Sequence, residues 1–139
     1  MTIAGLLARF GAAYLLLLVV IAVALNLLGV NSSVGANTAA LLGAVMWVCM
    51  AFGKKNGRYF TREEKTRAVL GMLVVDLAIQ AVFSVGVGLF AGASVAQLGP
   101  LLLVLLFVGV LHALVIWFFV GLAGKQHAAA EALRTGSNG

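Results

Sequence analysis

All nine lysine and arginine residues of this chain fall at Arg9, between Lys54 and Arg67, or from Lys125 onward, and four long apolar stretches fill nearly everything else. That segregation fixes the fold class before any single residue is interpreted. A composition that is 63% hydrophobic and 9% charged is far from the roughly 25% charged residues of soluble domains. A spanning helix needs about 20 apolar residues, so four of them with short connections use the whole chain and leave no length for a soluble domain. The expected architecture is all-α: a polytopic membrane protein of four transmembrane helices arranged as two hairpins. The spans are expected at about 10–30, 35–53, 67–90 and 100–124, with a loop at 54–66 and a tail at 125–139.

Charge also sets the expected orientation. The amino terminus, the central loop and the tail carry every cation, and the two turns at the opposite end carry none. By the positive-inside rule both termini and the loop face the cytoplasm. The net charge of +5 could suggest nucleic acid, but cations interleaved with acids beside hydrocarbon-length segments fit anionic lipid headgroups. Ala22-Val23-Ala24 has the small-x-small form of a processing site, which offers a cleaved leader as the competing reading of the first run. The run stays apolar to Val30 behind a single charge, and an uncleaved span is the simpler account.

The central island, 54–67, has a readable local grammar. Asn56-Gly57 tolerates the left-handed conformation that ends a helix, so the second helix is expected to stop there. Thr61 and Glu64 have the spacing of a capping box, and Glu63 and Glu64 lie where the helix dipole favours negative charge. Lys54, Lys55, Arg58, Arg62, Lys65 and Arg67 then form either a topology anchor on lipid phosphates or a docking surface. Phe10, Tyr14, Trp47, Phe52, Tyr59, Trp117, Phe118 and Phe119 lie at the cationic ends of their spans, where an interfacial aromatic girdle is expected. The outer turns are expected at 31–33 and from Gly92 to Gly99, and the last residues, 135–139, read as a frayed tail.

Within the hydrocarbon Asp76 demands an explanation, because an ionised carboxylate there costs about 2.5–3.5 kcal/mol on insertion scales. It lies about 13 Å along the third helix from Arg67, close to mid-bilayer. Gln80, Ser84 and Gly88 follow at four-residue intervals and make one face polar and small. His112 on the fourth helix lies about 19 Å from Lys125, so an antiparallel neighbour would bring it within a turn of Asp76. Such a pair has three readings: packing glue between helices, a proton or ion relay, or, with Ser84, a catalytic triad. The triad fails on spacing, since Ser84 is two turns from Asp76, and no enzyme is expected. His127 is the only other histidine, about 22 Å from His112 on the same helix, so two histidines of one chain cannot share a haem or metal. Cys49 is the only cysteine and supplies neither a disulfide nor a thiolate cluster. No cofactor or metal is expected. Ala36, Ala40, Gly43 and Ala44 give the second helix a face for close packing, with Gly86 and Gly88 doing the same in the third.

The segments Gly35-Ala36-Asn37 through Ala44, Phe52-Gly53-Lys54 and Gly57 to Lys65 resemble an uncharacterised family of small four-helix bacterial inner-membrane proteins that share an Arg-x-x-Thr-x-x-Glu cytoplasmic hinge. The hinge would be Arg58, Thr61 and Glu64. The resemblance implies a bacterial inner-membrane location. The small multidrug exporters match in size and span number only, because they carry their membrane carboxylate in the first helix, where this chain has none. Two functions follow. One is a non-enzymatic accessory subunit or self-associating module, with other membrane subunits or further copies of itself as partners. The other is a small proton-coupled transporter or channel centred on Asp76.

Overall fold

A computed structural model describes residues 1–29, 33–90, 92 and 95–136. Four helices account for nearly all of them: α1 (Ile3–Leu27), α2 (Ser33–Asn56), α3 (Arg62–Phe90) and α4 (Val95–Gly136). Each contains a stretch long and apolar enough to cross a membrane. Helices are the required solution, since in hydrocarbon every backbone N–H and C=O must find its partner inside the segment.

The helices form a ring in the order α1, α2, α4, α3, so that α2 and α3, although consecutive, face each other across the diagonal. Contacts fix the directions. Asn56 at the end of α2 donates to the Met1 carbonyl at 3.2 Å, which makes α1 and α2 antiparallel. Gly11 meets Val75 and Gly71 meets Leu7, so α1 and α3 run parallel. Gly109 meets Leu77 and Gly121 meets Lys65, so α4 returns antiparallel to α3. Both hairpins therefore open toward the same end, the end that carries the cations.

Local sequence explains where the helices stop and start at that end. α2 ends at Asn56, and Gly57 adopts φ +62°, a conformation that costs a residue with a Cβ about 1–2 kcal/mol. Thr61 then caps α3: its Oγ1 accepts from the Glu64 N–H at 3.3 Å, while Glu64 Oε2 accepts from the Thr61 N–H at 3.0 Å. Arg58 grips the same carboxylate through both guanidinium nitrogens, at 2.7 and 2.9 Å.

The opposite end departs from expectation. The turn expected at 31–33 lies outside the described residues but for Ser33, which begins α2. The second expected turn is shorter than its composition suggests, because Gln97, Leu98 and Gly99 are already helical and Pro100 sits inside α4. As the sixth residue of the helix, Pro100 cannot donate to the Ala96 carbonyl one turn back. At the other end of α4 the expected tail is helical as far as Gly136. Ala128, Ala129, Ala130 and Leu133 are strong helix formers, and Arg134 bonds Glu131 at 3.4 Å one turn away. At 42 residues α4 is about 63 Å long, roughly twice the hydrocarbon thickness.

Packing is uneven along the bundle. The buried side chains concentrate in the cation-bearing half: Leu6, Phe10 and Tyr14 of α1, Val45, Val48 and Phe52 of α2, Met72 of α3, and Ile116 and Val120 of α4. Phe10, Tyr14 and Phe52 are thus core residues and not members of an interfacial girdle, because the i, i+4 series Leu6-Phe10-Tyr14 turns inward. Trp47, Trp117 and Phe118 do remain exposed. Ala36, Ala40 and Ala44 are buried, and Leu17 lies 3.1 Å from where a Cβ on Gly43 would stand, so this face of α2 allows the close approach its small residues imply. Gly86 does not: it is exposed, and a Cβ placed there would meet nothing of this chain within 4 Å. Gly88 is half-buried.

Candidate functional site

Asp76 has no solvent-accessible surface, and at its level all four helices contribute polar groups. His112 of α4 places Nδ1 2.7 Å from Asp76 Oδ2. Gln80, one turn further along α3, donates from Nε2 to Asp76 Oδ1 at 2.9 Å and stands 3.0 Å from the same His112 Nδ1. Tyr14 of α1 donates its hydroxyl to Asn37 Oδ1 of α2 and also interacts with the Asp76 carboxylate.

Asp76, Gln80 and His112 thus form one hydrogen-bonded cluster: Asp76 accepts from Gln80 on Oδ1 and meets His112 Nδ1 with Oδ2, and Gln80 Nε2 lies within bonding distance of the same His112 Nδ1. Nδ1 is the His112 ring atom engaged by both side chains of α3, and the residue also lines a cavity.

That cavity has a volume of about 540 Å³ and His112 forms part of its wall. Tyr14, Asn37, Thr38, Gln80 and Ser84 supply the other polar groups. Leu18, Val19 and Ala22 of α1, Ile79 and Phe83 of α3 and Val108 of α4 supply an apolar surface. The volume lies within the range of small-molecule sites, about 300–1,000 Å³. The polar face of α3 is therefore divided. Asp76 is sealed in the floor, whereas Gln80 and Ser84 line an open wall.

Toward the cationic end the bundle closes. Tyr59, from the loop between α2 and α3, donates its hydroxyl to the Val120 carbonyl at 2.5 Å and lies against Gly124. Phe60 stacks on Phe52 with ring centroids 4.1 Å apart, and the His127 ring occupies the space beside Gly53. Burial pushes the Tyr59 phenol well above its ordinary pKa, so it stays a neutral donor. These contacts tie the extension of α4 to α2 and the loop, and pack the space between Asp76 and the cationic end.

The cationic island is only partly free to meet lipid or a partner. Arg58 is committed to Glu64, Arg67 bonds Glu63 at 2.6 Å, and Lys65 Nζ sits 4.3 Å from the centre of the Trp117 ring. Lys54, Lys55 and Arg62 remain exposed without an ion pair among the described residues. Thr61 and Glu64 serve the cap.

Sequence reasoning brought Asp76, Gln80 and His112 to one place and missed Tyr14 and Asn37. Tyr14 could have been found from the inward series Leu6-Phe10-Tyr14. Asn37 is adjacent to Ala36 at the start of the small-residue face, where a polar side chain in an apolar helix signals a partner. Comparison with known proteins assigns no relationship to this site or fold: no family model matches the chain, and neither curated proteins nor solved structures give a significant match.

Proposed function

We propose that this chain is a small, non-enzymatic, multi-pass protein of the bacterial inner membrane, with both termini cytoplasmic, that works as a proton-coupled transporter centred on Asp76. One observation carries the reading: buried Asp76 meets His112 Nδ1 in the middle of the bundle, and His112 and Gln80 also line a cavity of small-molecule size. A carboxylate used only to join helices needs no such opening, and interhelical hydrogen bonds in membranes average only about 0.6 kcal/mol. Ionisable side chains inside a membrane span, beside a polar cavity, are the usual mark of a proton or ion pathway. The closed cationic end, with the cavity on the other side of Asp76, supports this reading. Asp76→Asn, reconstituted in vesicles, is expected to abolish pH-gradient-driven flux while leaving the helical spectrum intact. Flux that persists unchanged in this variant contradicts the reading.

A second reading, an accessory subunit or self-associating module, draws on a different observation. The outer halves of α1, α3 and α4 pack little against each other, and Gly86 offers an exposed site for close helix approach. Native mass spectrometry from mild detergent distinguishes it, since a defined oligomer or a co-purifying partner is expected from a module and a monomer is not.

A further inference from the structure

We infer that the cavity takes an uncharged, lipid-soluble compound whose ring carries hydrogen-bonding oxygens, the chemistry of a quinone, and that this ligand enters sideways from the hydrocarbon between α1 and α3. The inference stands on the shape and lining of the cavity and goes beyond the transporter reading, which it neither needs nor replaces.

Helix register locates the mouth. Gly71 meets Leu7 and Gly11 meets Val75, and the same register, carried about two turns further along the parallel helices α1 and α3, places Val19 level with Phe83. Both line the cavity, and both are more than half exposed, at 60% and 54%. Side chains at the same level of a closed seam would cover each other. Ala22, nearly one turn beyond Val19, lines the cavity and is exposed as well, so the seam is open here. Phe83 lies about 10 Å along α3 from Asp76, and hydrocarbon extends about 15 Å to each side of the bilayer centre. With Asp76 near that centre the mouth faces lipid chains, and what reaches it travels in the membrane.

The lining sets the chemistry. Among the described residues that form the wall none is Asp, Glu, Lys or Arg, so a charged ligand finds no counter-charge on the surface it touches. A phospholipid headgroup is disfavoured on the same ground. A bare acyl chain fails at the other end of the cavity. Gln80 and His112, which bond Asp76, form the floor with Tyr14, and Asn37 and Ser84 add polar groups to the wall. Covering these with hydrocarbon would strip them of hydrogen-bonding solvent and return nothing, so the inner end of the ligand carries oxygen atoms. Three of the lining side chains, Tyr14, Phe83 and His112, are flat rings, which suit a flat head by ring-on-ring contact. Polar floor and apolar mouth then orient the ligand, with its oxygens inward and its tail passing between Val19 and Phe83 into the bilayer.

The test uses the full chain in lipid nanodiscs with decylubiquinone as probe. Trp47 and Trp117 are replaced by Phe, and one reporter Trp is placed either at the mouth, by Phe83→Trp, or on the lipid-facing side of α4, by Leu103→Trp. Leu103 is 71% exposed and lies level with Phe83 in the register that Gly109–Leu77 and Gly121–Lys65 set between α3 and α4. The quinone quenches indole fluorescence on contact. Quenching at the mouth is expected to saturate, and quenching at the lipid-facing position to rise gradually, as for a probe dissolved in the bilayer. Ala22→Phe fills the mouth at an exposed position, where it does not disturb the packed half of the bundle, and is expected to weaken the saturable binding at least about tenfold. Decylbenzene, which keeps ring and tail without the oxygens, and decyltrimethylammonium, which carries a charge, are each expected to compete at least about tenfold less well than unlabelled quinone. Identical quenching at the two reporters shows partition into lipid only and overturns the inference. So does saturation that Ala22→Phe leaves unchanged, or displacement by decylbenzene or the ammonium at equal concentration. Should binding fail while Asp76-dependent, pH-driven flux persists, the ligand is wrong and the transporter reading stands; should binding hold while Asp76→Asn leaves flux unchanged, the cavity binds without transporting.

Discussion

Two glycines one turn apart in α4 give a direct test of how the cationic end is closed. A Cβ on Gly124 would stand 2.6 Å from Tyr59 Cε1 and 2.8 Å from Cδ1, whereas on Gly121 it would meet only Lys65 Nζ, at 3.4 Å. Both substitutions by alanine carry the same helix-propensity gain, about 0.8–1.0 kcal/mol in water. They differ in the neighbour. Lys65 ends in a flexible chain that can shift by a few tenths of an ångström. The Tyr59 ring cannot shift freely, because its hydroxyl is bonded to the Val120 carbonyl and it packs edge-to-face with Phe60, ring centroids 4.8 Å apart. Overpacking of this kind costs about 1–3 kcal/mol, and displacing the phenol forfeits a hydrogen bond of about 1 kcal/mol. Set against the propensity gain, Gly124→Ala is expected to destabilise by about 1–3 kcal/mol, and Gly121→Ala to be neutral or to stabilise by up to about 1 kcal/mol. Unfolding by sodium dodecyl sulfate in mixed micelles, followed by circular dichroism, reads both. Equal stability of the two variants would refute the close seat of Tyr59 on α4.

Other expectations follow from the same end of the molecule. Gly57→Ala forces a Cβ into the left-handed region and is expected to cost about 1–2 kcal/mol, and Thr61→Ala, which removes the cap, about 1 kcal/mol, in the same unfolding assay. Arg58 and the Thr61 N–H hold the Glu64 carboxyl down to about 2. Because the folded value lies below the ordinary 4.5, its stabilising contribution is present above the unfolded value and fades as pH falls from near 5 toward 2. Arg58→Gln should return the carboxyl toward the ordinary value, as read by carbon-detected NMR titration of Glu64. In a Cys49→Ala background, a cysteine placed at Arg62 should be labelled by an impermeant maleimide only after the cells are opened; labelling from the periplasm would reverse the proposed orientation.

How much of this was legible in the residues can be judged position by position. The four helices were readable because a hydrocarbon solvent permits few backbone solutions, and apolar length alone then selects among them. The helix stop at Asn56-Gly57 and the Thr61–Glu64 cap were readable because both depend on residues within one turn of each other. Asp76, Gln80 and His112 could be brought together from helix rise and antiparallel direction. What depends on the ring order was hidden. The series Leu6-Phe10-Tyr14 marks one face of α1, but that this face turns inward, and that Tyr14 meets a partner there, depends on α1 facing both α2 and α3. The cavity was hidden for the same reason: uneven packing along the bundle is a relation among four helices, and no single one records it. The extension of α4 was underestimated because termini tend to fray, although its alanines and the Glu131–Arg134 spacing favour a helix.

The contact between Asp76 and His112 is the point on which the functional account turns. Nitrogen-15 NMR of histidine-labelled protein in lipid reports it directly, because ring-nitrogen shifts respond to hydrogen bonding. The account predicts that Asp76→Asn shifts the His112 Nδ1 signal and leaves that of His127 in place. A His112 Nδ1 that does not respond to the loss of the Asp76 carboxylate would contradict it.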